Sequence, residues 1–141
     1  DLLVSNFELK PLFKNQENIK IIKDAMYSSS NEPGGTSYRS RLEDKKFTFA
    51  GKTGSSQIRR FTEAQREAEV KQEQLKYENR DHALFIAFAP VSDPKYAISV
   101  VVEHGGTGSK AAAPIAKQVI KKVLQRHSLR KSINNLPGDS I

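Results

Sequence analysis

A lysine followed by hydroxyl-bearing and side-chain-free residues occupies positions 52–55 of this 141-residue chain, as Lys52-Thr53-Gly54-Ser55. Lys52 supplies a point charge suited to a carboxylate, and the hydroxyls of Thr53 and Ser55 can donate hydrogen bonds to the same anion. Because Gly54 has no side chain, a substrate backbone can approach closely at that position. These residue types, in this order, predict one wall of an acyl-transfer site.

A strand is predicted to position this motif. Residues 47–50 alternate between phenylalanine and smaller residues, which is typical of a strand with one buried face, and we expect it to lead directly into Lys52. The apolar run 83–89 predicts a second strand, covered on both faces, and 96–102 a third, with a turn at 90–95 between them. A three-stranded antiparallel meander follows from this order.

Two helices are predicted beside the strands. Ile19, Ile22 and Met26 give residues 17–29 one apolar face, and Pro33 with the two following glycines ends that helix. The last helix has a broad apolar stripe that should lie on the sheet. Its members are Ala111, Ala112, Ile115, Ala116, Val119, Ile120, Val123 and Leu124. Beyond His127 periodicity is weak, so we expect residues 128–141 to be a flexible tail.

The segment 59–81 is densely charged and is predicted to be a solvated, helix-prone excursion between strands. Thr62 could cap such a helix, with Gln65 reaching back to it.

The net charge of +7 is concentrated near the end of the chain, where residues 104–141 carry seven basic residues and one acidic residue. This bias leaves open an alternative function, a small basic module that binds nucleic acid or anionic lipid through Lys117, Lys121 and Lys122. No aromatic residue is interleaved with these cations, so base stacking is not supported, and a solvated helix face is the simpler interpretation. Cysteine is absent, which excludes thiol nucleophiles and thiolate metal sites.

Other short motifs have simpler explanations. A serine acyltransferase needs Ser-x-x-Lys, and the two matches fall in the predicted turn, at 92–95 with a proline inside, and in the predicted tail, at 128–131. Ser-x-Asn matches at 29–31 and 132–134 are explained by a helix end and the tail. We treat all four as accidental.

Nucleotide and metal sites are not favoured either. A P-loop would need glycine at position 46, where Lys46 stands, and Gly106-Thr107-Gly108 is better explained by a tight strand-to-helix turn than by a dinucleotide fingerprint. The three histidines show no metal-ligand spacing, and we expect His82 to bond a local backbone group. We therefore expect no metal and no cofactor.

Four segments, taken together and in order, resemble the C-terminal part of a class B penicillin-binding protein. They are residues 31–36, 50–57 and 80–90, and the stretch from 103–106 through 112–116. The resemblance runs from about residue 17 to 127. It implies an α/β fold of the α+β type, with an antiparallel three-stranded portion of a β-lactamase/transpeptidase-like sheet and flanking helices. Residues 1–127 would then be a C-terminal fragment of the transpeptidase domain.

The resemblance also implies roles for the motif. Lys52 would help to hold the Ser-x-Asn serine, and with Thr53 and Ser55 it would bind the terminal carboxylate of a D-Ala-D-Ala stem peptide or a β-lactam beside Gly54. The backbone N–H of Ser55 would be one oxyanion donor. Ser55-Ser56 stands where the family usually has Thr-Ala, so the hydroxyl at the first position is kept.

The family places its nucleophile and general base upstream of the region matched here. The resemblance therefore implies the substrate- and penicillin-binding part of a peptidoglycan D,D-transpeptidase that cannot catalyse alone, with the rest of the parent chain as partner and no nucleic acid. A β-lactamase or sensor homologue is the runner-up, which the long 59–81 excursion disfavours. Because the first residue is Asp1 rather than Met, we expect any targeting or anchoring segment to lie upstream. The resemblance implies a parent at the periplasmic face of the bacterial inner membrane.

The same resemblance suggests that further strands of the sheet come from upstream polypeptide. The predicted strand 96–102 would then lack a neighbour, and we expect self-association through this exposed sheet edge.

Overall fold

The computed structural model describes residues 14–60, 62, 63 and 71–134, with side chains to residue 128. It includes helix α1 (Gln16–Asn31), strands β1 (Ala50–Ser56), β2 (His82–Ala89) and β3 (Tyr96–Val102), and helix α2 (Ala112–Asn134). The strands form one antiparallel sheet in the order β1-β2-β3. The predicted meander and the α+β fold class are confirmed. No helix in the described part of the chain is long and apolar enough to span a membrane.

The core lies between one face of the sheet and helix α2. Alternate residues of β2 point into it, so Phe85 is fully buried and packs edge-on against Phe49 with 6.1 Å between ring centroids. Small residues on α2 allow the helix to approach the strands closely. The buried residues of this helix are Ala112, Ala113, Ala116, Ile120 and Leu124.

The opposite face of the sheet is more open than the apolar run predicted. Ile86, in the middle of β2, is 51% exposed, so the prediction that this strand is covered on both faces is wrong. The stripe predicted on α2 is likewise wider than the buried surface, since Ile115 and Val119 are exposed. Periodicity identified the elements, but which apolar residues are covered depends on the neighbours present.

Strand β1 starts later than the alternating phenylalanines predicted. Residues Lys45–Phe47 form a 3₁₀ helix, in which the Asp44 side chain accepts from the backbone N–H of Lys46 at 2.9 Å. The Thr48 hydroxyl also donates to the Lys45 carbonyl at 2.8 Å. Because these local bonds compete with strand pairing, β1 begins at Ala50 and contains the Lys52 motif instead of ending before it.

The two helices differ in how well their ends were predicted. Helix α1 begins after Asn15, whose side chain accepts from the backbone N–H of Glu17 at 2.9 Å, and it ends just before the Pro33 turn, as predicted. Helix α2 continues to Asn134, so the tail predicted from residue 128 is wrong for 128–134. Residues 135–141, and the Gln65 partner predicted for a Thr62 cap, lie outside the described residues.

Polar side chains at the end of α1 tie this helix to β1. The buried hydroxyl of Ser30 donates to the Gly51 carbonyl at 3.3 Å and lies 3.0 Å from the Ser37 hydroxyl. The Asn31 amide donates to the Phe49 carbonyl at 2.8 Å. These bonds fix the backbone at Phe49 and Gly51 relative to the end of helix α1, immediately before the Lys52 motif begins.

Strand β3 forms the far edge of the described sheet, and an apolar groove runs beside it. The groove has a volume of about 130 Å³ and lies between β3 and α2. Its walls include Tyr96, Ile98, Val119 and Val123. On the opposite face of the strand, Val101 is 58% exposed. An unpaired edge with apolar side chains on both faces is suited to pairing with another strand.

We expect the chain on its own to self-associate by pairing β3 with β3 of a second copy. Val101→Lys should shift the population towards monomer in sedimentation velocity at high concentration, because an edge lysine opposes pairing. Ile86→Lys is the matched control, since it places the same charge on the same face of the central strand, which already has two neighbours. A monomeric wild-type chain, or equal effects of the two variants, would contradict edge pairing.

The buried serine tie gives a stability prediction. Ser30→Ala removes the side-chain donor to the Gly51 carbonyl and one of the two partners of the Ser37 hydroxyl, which keeps its bond to the Ser29 carbonyl, so the free energy of unfolding in urea should fall by about 1–2 kcal/mol. Ser92→Ala, which changes an exposed serine in the turn between β2 and β3, should leave it within about 0.5 kcal/mol of wild type. Similar losses for both variants would show that the tie is not stabilising.

Candidate active site

The predicted wall lies on β1, the strand at the near edge of the described sheet. Lys52 is exposed, and its ammonium donates to the Thr53 carbonyl at 2.8 Å, so the charge is turned back along its own strand. Ser55 is exposed and Thr53 is half-buried. The structure therefore leaves Lys52 and Ser55 exposed and Thr53 half-buried on an edge strand, with the Lys52 ammonium bonded to the backbone of that strand.

Gly54 lies between these polar residues and leaves room above the strand. A Cβ at this position would lie 3.4 Å from the Leu84 Cβ, which is ordinary contact distance. The fold therefore does not require glycine here for packing within the described residues. Close approach by a ligand backbone, the reason given from the sequence, stays a prediction.

Three hydroxyl groups form a connected row behind Thr53. Its Oγ1 lies 3.1 Å from Oγ1 of Thr36, and that atom lies 3.2 Å from Oγ of Ser29 on helix α1. A second pair, Ser30 and Ser37, runs parallel to it one residue further along each segment, in the buried interior. The row thus links helix α1, the turn after it and strand β1 at the surface. The Ser30–Ser37 pair links the helix and the turn in the interior.

The turn after α1 places Thr36 through close backbone contacts. Gly34 has a φ of +89°, a conformation that glycine adopts without strain. Gly35 packs so closely on the helix end that a Cβ there would lie 2.3 Å from the Ser29 carbonyl oxygen. The backbone N–H of Ser37 then donates to this same carbonyl at 3.0 Å. Thr36 is therefore held between two anchored neighbours.

The turn between β3 and α2 presses on the other side of the motif. A Cβ on Gly108 would lie 2.3 Å from the Leu84 carbonyl oxygen and 2.7 Å from that of Gly54. Only a residue without a side chain permits this backbone contact, and the strand-to-helix turn predicted for Gly106-Thr107-Gly108 is confirmed. Any displacement of this turn would therefore also move the backbone at Gly54.

The described end of the charged segment, from residue 71 onwards, docks on that turn. Gln72 and Asp81 exchange two hydrogen bonds, at 2.8 and 2.9 Å. Glu73 forms an ion pair with Lys110, and the hydrogen bond from Lys110 lowers the pKa of the Glu73 carboxyl below its ordinary value. Because the carboxylate is fully exposed, the pair adds little stability; what it adds is lost as the pH falls through the lowered pKa.

The histidines have structural partners. Nδ1 of His82 accepts from the backbone N–H of His104 at 2.9 Å, so His82 bonds a backbone group as predicted, although that group is 22 residues away in the sequence. His104, at a φ of +52°, directs its own Nδ1 towards the Arg80 carbonyl at 3.2 Å. Among the described residues, no group of three or more His, Asp or Glu side chains is arranged to hold a metal ion.

The structure keeps the Ser-x-x-Lys matches away from the motif. Lys95 forms an exposed ion pair with Asp93 at 3.0 Å in the turn between β2 and β3, as expected for an accidental match. Ser128 lies on α2 instead of in a tail. The described residues bring neither serine to the Lys52 wall.

Sequence reasoning missed the supporting hydroxyl residues. The sequence predicts Ser29–Asn31 only as a helix end. In the structure, all three side chains form hydrogen bonds to β1, to the residue before it or to the turn after α1. A signal was available, because hydroxyl residues recur seven positions apart, at Ser29 with Thr36 and at Ser30 with Ser37. Without knowing that the chain doubles back at Gly34, this spacing could not be interpreted.

Comparison with known proteins identifies the family. The penicillin binding protein transpeptidase domain matches residues 9–121. The peptidoglycan D,D-transpeptidase MrdA of Haemophilus influenzae is 34% identical over 115 residues, covering 82% of this chain and 17% of the relative. MrdA of Salmonella typhimurium is 33% identical over 100 residues, covering 71% and 15%. The chain thus spans less than a fifth of the length of these relatives.

Solved structures agree with the sequence comparison. PBP2 from Helicobacter pylori, in complex with MreC, superposes with a TM-score of 0.60 at 30% identity, covering 77% of this chain and 17% of that one. PBP2 from Pseudomonas aeruginosa, in complex with WCK 5153, gives a TM-score of 0.57 at 30% identity, covering 78% and 20%. These relatives lend no support to a nucleic-acid or anionic-lipid module. The resemblance inferred from four short segments is confirmed: this chain belongs to the penicillin-binding protein transpeptidase domain family.

Proposed function

We propose that this chain forms the substrate- and penicillin-binding wall of a peptidoglycan D,D-transpeptidase, with the serine nucleophile supplied by polypeptide outside these 141 residues. The observation that carries the proposal is the position of Lys52, Thr53 and Ser55 on an edge strand with their polar groups accessible. Family membership and the names of the relatives above support it.

Strand β1 is suited to an extended peptide. An edge strand can align a ligand backbone alongside its own, and side chains at the edge then select among ligands. The terminal carboxylate of a D-Ala-D-Ala stem peptide, or of a β-lactam, would face Lys52 and the hydroxyls of Thr53 and Ser55. A charged hydrogen bond of this kind contributes about 1.5–3 kcal/mol.

The same strand would also serve the chemical step. The Ser55 backbone N–H would be one of two donors to the oxyanion that forms when a serine attacks the peptide carbonyl. Loss of one such donor costs about 3 kcal/mol in comparable sites. The serine would release the terminal D-Ala and form an acyl-enzyme, which the amine of a second stem peptide would then attack to make the cross-link.

With these roles, the parent enzyme would have to work where its peptidoglycan substrate lies. A peptidoglycan cross-linking enzyme in a bacterium with two membranes would work at the periplasmic face of the inner membrane, held there by a segment outside this chain. No cofactor is needed for acyl transfer between peptide and serine.

Labelling with a fluorescent penicillin tests the proposal. The 141-residue chain should stay unlabelled, whereas a longer polypeptide that includes upstream sequence with a Ser-x-x-Lys element should be labelled at that serine. Labelling of the short chain, or no labelling of the long one, would contradict the proposed division of roles.

Two substitutions in the longer polypeptide separate binding from folding. Lys52→Ala should lower the second-order rate of labelling roughly 10- to 100-fold, through loss of the charged bond to the carboxylate.

Gly54→Ala should also slow labelling, because the methyl group occupies the space needed by the ligand backbone. Its thermal unfolding should stay close to wild type, since a Cβ there makes only ordinary contact. Unchanged labelling by Gly54→Ala would contradict close approach at this residue.

A further inference from the structure

The row of hydroxyls behind Thr53 points to a function beyond holding the fold together. We propose that Thr36, supported by Ser29, is a positioning residue that orients the Thr53 hydroxyl as a donor towards the carboxylate of the bound peptide or β-lactam. The inference rests on the proposed function, because it assigns the anion that Thr53 would bind.

The chemistry of three adjacent hydroxyls gives the row a direction. Each group has one proton to donate and can accept two, and either member of each pair can be the donor. An anion beside Thr53 accepts the proton of that hydroxyl. Thr53 then accepts from Thr36, and Thr36 from Ser29, so the bound carboxylate sets a single direction along the row.

Such an ordered row strengthens its last donor. Hydrogen bonds in a chain polarise one another, and the effect grows when water is excluded. Thr36 is exposed in the turn after α1, and a peptide lying along β1 would cover it. Lys52 adds to the effect, because its ammonium donates to the Thr53 carbonyl and so fixes the backbone that carries this hydroxyl.

A purely structural explanation for Thr36 is less satisfactory. The buried pair of Ser30 and Ser37 already ties the helix and the turn together, and Ser30 also reaches the Gly51 carbonyl. An exposed hydroxyl bond adds little stability beside that buried tie. What Thr36 adds is contact with a side chain of the substrate wall itself.

The backbone around Thr36 makes it rigid enough for this role. The Ser37 backbone N–H bonds the Ser29 carbonyl at 3.0 Å, and the Tyr38 backbone N–H bonds that of Gly35 at 3.1 Å. A positioning group must be held by its own surroundings if it is to orient another. Thr36 meets this condition although it lies in a turn.

A double-mutant cycle with benzylpenicillin, in the longer polypeptide that carries the serine, tests the proposal. Thr36→Val should lower the second-order rate of acylation roughly three- to tenfold, the effect of one neutral hydrogen bond. Thr36→Ser, which keeps the hydroxyl, should restore most of the rate. In a Thr53→Val background, Thr36→Val should cause no further loss, because the hydroxyl that it orients is gone.

A matched control and a second ligand separate positioning from stability. Thr48→Val makes the same chemical change and removes a threonine hydroxyl bond to the Lys45 carbonyl, away from the row. It should leave acylation unchanged even if both variants lower the melting temperature slightly. With the methyl ester of benzylpenicillin, which lacks the anion, wild type and Thr36→Val should react at the same, slower rate.

The possible results distinguish this inference from the proposed function. If the wild-type polypeptide is not acylated at all, both the function and the positioning role are overturned. If Thr53→Val slows acylation but Thr36→Val does not, or if the two losses multiply in the double variant, only the positioning role is overturned. Equal sensitivity of the ester to Thr36→Val would also overturn it, because the effect would then not depend on the carboxylate.

Discussion

The bond from the Ser30 hydroxyl to the Gly51 carbonyl is the contact on which the site most depends. Strand β1 has β2 on one side only among the described strands, so half of its backbone cannot be fixed by the sheet. The end of α1 supplies the missing restraint through Ser30, and Asn31 repeats it at Phe49. An edge strand can therefore display a charge and hydroxyls while its register stays fixed from behind.

Backbone proximity completes the arrangement from the opposite side. The turn before α2 lies directly on Gly54 because Gly108 has no Cβ. Residues 72–81 pack against the same turn and are held together by the two hydrogen bonds between Gln72 and Asp81. The candidate site is thus supported by three separate stretches of chain that are distant in sequence. Its polar groups need no buried charge.

Sequence patterns predicted most of the elements because the cause of each is local. The β2 and β3 runs and the extent of α1 follow from side-chain patterns, and the Lys52 motif follows from residue order. The apolar face predicted for α1 is not its buried face, since Ile22 is exposed and the buried residue of this helix is Ser30. Prediction failed for two different reasons. Local side-chain bonds of Asp44 and Thr48 compete with strand pairing and delay the start of β1, whereas the open face around Ile86 depends on tertiary packing and has no covering layer among the described residues. The contact of Thr36 with Thr53 depends on a chain reversal, so spacing alone could not reveal it.

The unequal connections between the strands have a consequence for how the sheet assembles. Strands β2 and β3 are joined by residues 90–95, whereas β1 must close the much longer span 57–81 before it can pair with β2. The longer loop costs about 1 kcal/mol more in closure entropy. The β2–β3 hairpin should therefore form early in folding and β1 should join last, so that the strand bearing Lys52, Thr53 and Ser55 should also be the first to exchange its amide protons.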